Sequence, residues 1–418
     1  MIPYLRLAVF TTFAGLVGPT ASFSASILPL GDLPGGTLGS VALGISGDGS
    51  VVVGFANSTL GSEPFQWTAT GGMIGLGDLP GGRSDLGSAN RMSFDGTIVV
   101  GNSASTAGTE AFRWTAGTGM VGLGDFVGGR NRSAALDVSA DGTVIVGYGE
   151  SIRGTEAFRW TSAKGIVGLG DFVGGQFWSS AAGISADGNV VVGFGAVEEG
   201  NVAFRWTAET GLVSLGEFPG GTFSSLANGV SADGNVVVGH STSAEGVEAF
   251  RWTAADGLMS LGKLPGGSYL NYAYTASADG SVVVGQAQSS VAPEAFVWTA
   301  RSGIRRLWDE LVLRGVDPAA SGWSILQEAN SISHDGCQVA GYGQRNGNLE
   351  AFLADLTSVL KYRQSGTGLE LIWSGSQSLQ FSPSLSPQGW VTVPGAVSPY
   401  EVPLDGPLAF YRLGASTQ

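Results

Sequence analysis

The stretch Ser139-Ala-Asp-Gly-Thr-Val-Ile-Val-Gly147, continued by Glu156-Ala-Phe-Arg-Trp-Thr161 and Gly165-Ile-Val-Gly-Leu-Gly-Asp-Phe-Val-Gly-Gly175, decides the architecture of this chain. Asp-Gly in the first word suits a hairpin turn, because both residues tolerate the positive φ that tight turns demand. Val144 to Gly147 is β-branched and reads as a strand. In Glu156 to Thr161, Phe158 and Trp160 alternate with Ala157 and Arg159, which is a strand period. Gly165 to Phe172 alternates again. A shorter run of small residues, Ala135 to Ser139, precedes the turn. The unit therefore holds four short strands and no helical period.

The same words recur seven times. The turn aspartates are Asp48, Asp95, Asp141, Asp187, Asp233, Asp279 and Asp335, with spacings of 47, 46, 46, 46, 46 and 56 residues. A fixed period near 46 marks a repeat array. Four strands per period fit one blade of a β-propeller. A linear β-solenoid is the rival, although its coils are usually shorter. The expected fold is all-β: a seven-bladed β-propeller of four-stranded blades closed by an N-terminal strand, plus a small C-terminal β module.

The ends motivate the closure. Ser26 to Gly36 contains a fourth-strand word, Leu30-Gly-Asp-Leu-Pro-Gly-Gly36, with no first three strands before it. The last copy, through Glu350-Ala-Phe-Leu353, stops after its third strand. The orphan fits the vacancy, and joining them would remove free sheet edges. The seventh copy carries extra residues from Trp308 to Trp323, expected as a short helical turn or loop.

Residues 1–25 read as a secretory signal, with Arg6 before an apolar run from Leu7 to Gly18 and small residues from Thr20 to Ala25. Residues 26–357 are the repeat domain. From 358 to 418 the repeat gives way to short strand-like words, Leu369 to Trp373, Leu379 to Phe381, Trp390 to Val393, Tyr400 to Val402 and Ala409 to Leu413, punctuated by Pro, Ser and Gly. No stretch of membrane-spanning length follows the signal. Cys337 stands alone, so the core rather than a disulfide frame must hold the fold.

The words Leu76 to Gly82, Ile184 to Gly188, Val190 to Gly193 and Ala249 to Thr253 resemble the bacterial extracellular repeats of the HAF family, over about Leu30 to Leu356. The His-Ala-Phe word of that family is here Glu-Ala-Phe, as at Glu110, Glu156 and Glu248. The resemblance implies an extracellular repeat protein and supplies no catalytic residues.

Chemistry is sparse. Glycine is 69 of 418 residues, charged residues are 13%, and the net charge is −14, which argues against a nucleic-acid partner. His240 and His334 sit in different copies, so neither a catalytic triad nor a histidine metal site is expected. Each Asp-Gly turn offers one carboxylate where calcium would need several oxygens. No metal or cofactor is expected. Arg113, Arg159, Arg205 and Arg251 are expected to pair with acids of the following strand, such as Asp125, Asp171 and Glu217, because a buried charge needs a partner.

The copies disagree most where the chain crosses from one unit to the next. These crossings carry Arg130 and Arg132, Phe177 and Trp178, Phe223, and Tyr269 and Tyr272. Aromatics in otherwise polar loops suit sugar stacking or a protein hot spot; covering the glycine turns is the structural alternative. The reading is a secreted or cell-surface, monomeric, non-catalytic scaffold that binds glycan or protein. A polysaccharide-acting enzyme with carboxylates drawn from separate blades is the other reading.

Overall fold

The structure is a computed structural model that describes residues 25–59, 61–82 and 87–357. Of the C-terminal part it describes 361–365, 368–372, 378–382, 390–398, 400–402 and 410–414. The signal-like residues 1–24 and the crossing residues Arg83, Ser84 and Asp85 lie outside this set.

Each of the seven copies forms an antiparallel sheet in chain order. In the third copy the strands are Ser133–Val138, Val144–Ser151, Gly154–Thr161 and Gly165–Gly170. The first strand carries a bulge between Ala135 and Asp137, and the same irregularity recurs at Ala42/Gly44, Ala89/Arg91, Ala181/Gly183, Ala227/Gly229 and Ala273/Thr275. The sheets of the fourth, fifth and sixth copies are also bridged by short parallel contacts, Asn201 with Ser224 and Gly246 with Tyr269.

The turn that opens each second strand is built by side chains. Ser139 Oγ donates to Asp141 Oδ1 at 2.7 Å and accepts from the Val144 amide at 3.0 Å, while the Thr143 amide donates to Asp141 Oδ1 at 3.0 Å. Gly142 takes the positive φ of the turn, +71°. The hydrogen bond from Ser139 leads the causes that hold the Asp141 carboxyl below its ordinary range. The serine-to-aspartate bond repeats in every copy, from Ser46 to Ser333. The aspartates serve hairpins.

Packing between sheets explains the remaining words. The phenylalanine of the third strand (Phe65, Phe112, Phe158, Phe204, Phe250, Phe296 and Phe352) is fully buried in all seven copies. Each such side chain stabilises the fold by about 1.5–3 kcal/mol through burial. Phe204 joins a core with Val144, Val146 and Ala157 of the preceding copy. The glycine that closes Val-Val-Gly is sterically fixed: a Cβ on Gly147 would lie 1.9 Å from the Ala134 carbonyl oxygen.

The expected arginine–acid pairing is not what forms. Arg159 Nη2 donates to the Gly188 carbonyl at 3.3 Å, Arg205 Nε to Gly234 at 3.2 Å and Arg251 Nε to Gly280 at 3.2 Å. Each guanidinium caps the Asp-Gly turn of the next copy. In the first copy Gln66 Nε2 makes the same bond to Gly96, also at 3.2 Å. The demand is for a donor to a carbonyl, which a neutral amide also meets. Asp171 is instead satisfied by backbone amides of Phe172, Trp178 and Ala196.

One residue per copy, just before the turn aspartate, links the first strands. Gly47 donates its amide to Phe94, Phe94 to Ala140, Ala140 to Ala186, Ala186 to Ala232, Ala232 to Ala278, Ala278 to His334, and His334 back to Gly47, at 2.8–3.1 Å. The donors and acceptors run head to tail without a break. Contacts between the last copy and the first repeat those between neighbours in sequence. Asn330 Nδ2 donates to the Ala42 carbonyl at 2.9 Å, as Asn90 does to Ala135 and Asn228 to Ala273 at 2.8 Å. The Ala351 amide donates to Ser40 Oγ at 3.1 Å, as Ala157 does to Ser179 at 3.0 Å. Ser26–Pro29 lies in one sheet with the three strands of the seventh copy, next to Asn348–Asp355.

The extra residues of the seventh copy form a helix, Leu307–Leu313, and a 3-10 turn, Pro318–Ser321. Residues 310–317 group with residues 355–418 in a second compact unit, where Arg314 pairs with Glu310 and donates to the Leu356 carbonyl. Among the described residues this unit holds two three-stranded sheets. One joins Lys361–Ser365, Gly368–Ile372 and Tyr400–Val402; the other joins Val391–Thr392, Ser378–Ser382 and Phe410–Gly414. Leu371, Leu379, Val402 and Tyr411 form its core. The strand-like words of the tail are thus strands, and Lys361–Ser365 adds one that the sequence reading passed over.

Candidate functional site

Chain direction gives every repeat sheet two ends. The first strand starts at a crossing and finishes at the Asp-Gly turn, and the second strand returns. The amide cycle therefore lies at the turn end. The crossings and the hairpins between second and third strands share the opposite end, as the bridges Thr109–Arg132 and Thr155–Trp178 confirm.

The anticipated site residues fall at or beside this crossing end. Arg130 is exposed, and Arg132 reaches Glu150 at 3.6 Å from a mostly exposed position. Phe177 is half-buried under the Arg153 guanidinium, 4.0 Å from its ring centre. Trp178 is 46% exposed, its amide held by Asp171 Oδ2 at 2.6 Å and its ring edge-on to Phe194 at 5.5 Å. Phe223 is 37% exposed, and Lys263 Nζ stands 4.6 Å over Tyr269. A cavity of about 590 Å³ opens nearby, lined by Asp125, Phe126, Ile152, Arg153, Lys164 and Ile166 among others.

Two placements differ from the sequence reading. Phe223 belongs to an eleven-residue strand, Gly220–Val230, and Tyr269 and Tyr272 belong to the strand Tyr269–Ala276, so these are not loop residues. Backbone pairing with the preceding third strand extends the first strand back through the crossing. Tyr272 lies within its first strand, opposite Gln286, and meets His240 edge-on at 4.8 Å.

Tyr272 belongs to a polar cluster that the sequence reading missed. Asn228 Nδ2 lies 3.2 Å from His240 Nδ1 and donates to the Ala273 carbonyl. Gln286 Nε2 donates to Glu328 Oε1 at 3.0 Å. The Tyr342 hydroxyl also bonds to Glu328, its cross-strand neighbour. Tyr274 stands within electrostatic reach of Glu328, Tyr342 and Tyr272. All seven side chains are half-buried. Burial pushes the Glu328 carboxyl and the Tyr274 and Tyr342 phenols up, and holds the His240 imidazole down at about 4. At neutral pH the imidazole and phenols are therefore uncharged.

The signal that could have found this cluster is the slot after Val-Val-Gly. It reads Phe55, Asn102, Tyr148, Phe194, His240, Gln286 and Tyr342, while the glycine before it never changes. A variable slot beside an invariant one is where a repeat can place an individual function.

A second exception lies deeper on the first strands. Where other copies have Gly44, Gly183 or Gly229, the second and third have Arg91 and Asp137. Arg91 donates to the carbonyls of Leu43, Asn90 and Asn330. Asp137 accepts from the amides of Val138 at 2.8 Å and Ile184 at 2.9 Å. Burial raises the Asp137 carboxyl to about 6, opposed by the charge of Arg91. His334, the other histidine, packs edge-on against Phe94 at the amide cycle, 4.7 Å away. Among the described residues no group of three or more His, Cys, Asp or Glu is placed to hold a metal ion, and no helix is long and apolar enough to cross a membrane.

The architecture is similar to that of an oligogalacturonate lyase from Vibrio parahaemolyticus, at 9% identity and a TM-score of 0.50, over 80% of this chain and 98% of that one. At that identity the likeness shows the fold alone: an all-β, propeller-like array of four-stranded antiparallel sheets. An oligogalacturonate lyase in complex with manganese aligns at 13% identity and a TM-score of 0.49, over 80% of this chain and 97% of that one. TolB from Acinetobacter baumannii aligns at 11% identity and a TM-score of 0.41, over 74% and 80% of the two chains. No family model and no curated protein matches the sequence.

Proposed function

We propose that the chain is an exported, HAF-like, seven-bladed β-propeller, closed by its N-terminal strand, that serves as a non-catalytic scaffold binding glycan through the crossing end. The head-to-tail cycle of seven amides and the repetition of neighbour contacts between last and first copies support the closed ring. The observation that carries the binding reading is the run of partly exposed apolar side chains on three consecutive crossings: Trp178 at 46%, Phe223 at 37% and Leu270 at 41%. Ile152 at 78% and Val173 at 98% extend it. The rings of Trp178 and Phe223 on adjacent crossings suit successive sugar rings, and the exposed aliphatic side chains beside them support an interaction surface there.

A panel of soluble polysaccharides tested by affinity electrophoresis checks the reading. Retardation by at least one polysaccharide, weakened about tenfold or more in Trp178→Ala and Phe223→Ala with unchanged melting, is expected. Release of oligosaccharide products from the panel would overturn the non-catalytic reading. Binding that ignores both substitutions would remove the crossing end as its seat.

A further inference from the structure

Glu328 is an unusual carboxylate for its surroundings. It accepts from Gln286 and from the Tyr342 hydroxyl, and no arginine or lysine reaches it among the described residues. His240 cannot supply the missing charge, since burial keeps it neutral above about pH 4. Arg91 is the guanidinium of the neighbouring first strands, and it is engaged by three carbonyls and by the charge of Asp137. Those two charges offset each other. A carboxyl without a basic partner is left at the crossing end of the fifth to seventh copies, bonded to the Tyr342 phenol and within electrostatic reach of Tyr274, with Tyr272 next to Tyr274.

Phenol faces attract cations through the ring quadrupole, and most strongly where water is partly excluded. A carboxylate beside them adds a charge-assisted acceptor. The net charge of −14 raises the local concentration of any cation. The amides of Asn228 and Gln286 add polar groups of a kind that hydroxyls can use. The amide NH2 groups already serve the Ala273 carbonyl and Glu328, and an ammonium on a hydroxyl-bearing ring matches the acid, the phenols and the amide oxygens together with the glycan-binding reading. We infer that this cluster binds the protonated amine of an amino sugar, with Glu328 as counter-charge and Tyr272, Tyr274 and Tyr342 as walls. The inference rests on the glycan-binding reading and names the sugar class.

Calorimetric titration of the full chain with glucosamine tetramer, N-acetylglucosamine tetramer, cellotetraose and tetralysine tests it. The glucosamine tetramer is expected to bind at least tenfold more tightly than the other three, and more weakly as salt rises. Glu328→Gln is expected to remove that preference. Tyr272→Ala, which leaves the acid in place, should weaken glucosamine binding several-fold, and Tyr274→Phe should keep it. Equal binding of the acetylated and free-amine tetramers, preference for tetralysine, no binding of any tetramer, or indifference to Glu328→Gln would each overturn the inference. If neutral glycans bind in a Trp178-dependent way without amine preference, the scaffold reading stands and this one falls. If the free amine binds through Glu328 while no polysaccharide responds to Trp178→Ala, this inference stands and the seat at Trp178 and Phe223 falls instead.

Discussion

Leu33 and Leu79 hold the same slot of the word Leu-Gly-Asp-Leu-Pro-Gly-Gly, one at the start of the chain and one inside the array. They are 6% and 4% exposed. Leu79 packs with Val53, Ala89 and Phe112 of the first two copies. Leu33 packs with Ala42, Val52 and Phe65 of the first copy and with Ala340, Ala351 and Leu353 of the last. If the leading strand is a working part of the ring, trimming either leucine opens a comparable hole. Buried Leu→Ala changes cost about 2–5 kcal/mol, the spread reflecting how far the site collapses. Both environments are well packed, so about 3 kcal/mol is expected for Leu33→Ala and for Leu79→Ala, agreeing within about 1 kcal/mol. Urea denaturation followed by tryptophan fluorescence and by circular dichroism measures both. The midpoints should fall together, and the two probes should coincide in each variant. The reasoning is refuted if Leu79→Ala loses the full amount while Leu33→Ala stays within about 0.5 kcal/mol of the parent, the ordinary range of a surface change.

Two further outcomes are expected. Arg205→Met should cost about 1 kcal/mol by leaving the Gly234 carbonyl without its donor, and Arg205→Gln should recover most of it, because Gln66 makes the same bond in the first copy; equal melting of the Met and Gln variants would count against the capping role. Asp137 binds its proton more tightly folded, near pH 6, than at its ordinary value of 3.8. Its contribution therefore favours the fold at low pH and is lost as pH rises from about 4 through 6. In Asp137→Asn the denaturation midpoint should fall less over that interval than in the parent; parallel pH curves would show that the carboxyl carries no such linkage.

The strands and their order were legible because each has its own word, and because turn chemistry leaves little freedom to an Asp-Gly flanked by β-branched runs. The extra residues of the seventh copy were expected as a short helical turn or loop, and they form a short helix and a 3-10 turn. What stayed hidden lies between copies. Arg159 was assigned an acidic partner because buried charge usually finds charge, yet its acceptor is the neutral carbonyl of Gly188. No periodicity announces a carbonyl left open by a turn; only the Gln66 substitution hinted that charge was dispensable. Tyr272 was placed on a loop because it follows Pro-Gly-Gly where the chain crosses between copies, whereas pairing with the preceding third strand draws the crossing into a strand. His240 was set aside because the two histidines sit in different copies, yet its variable slot was the clue, since that slot opens on the cluster around Glu328.

The glycine that closes Val-Val-Gly gives the repeat a division of labour. With 1.9 Å between a would-be Cβ and the Ala134 oxygen at Gly147, and the same approach at Gly101, Gly193 and Gly285, that letter of the motif tolerates no spelling change. The adjoining letter accepts phenylalanine, asparagine, tyrosine, histidine or glutamine. The repeat array thus resembles a typesetter's frame: rigid rails hold interchangeable pieces of type, and new specificities can be set there one piece at a time while the frame stays as it is.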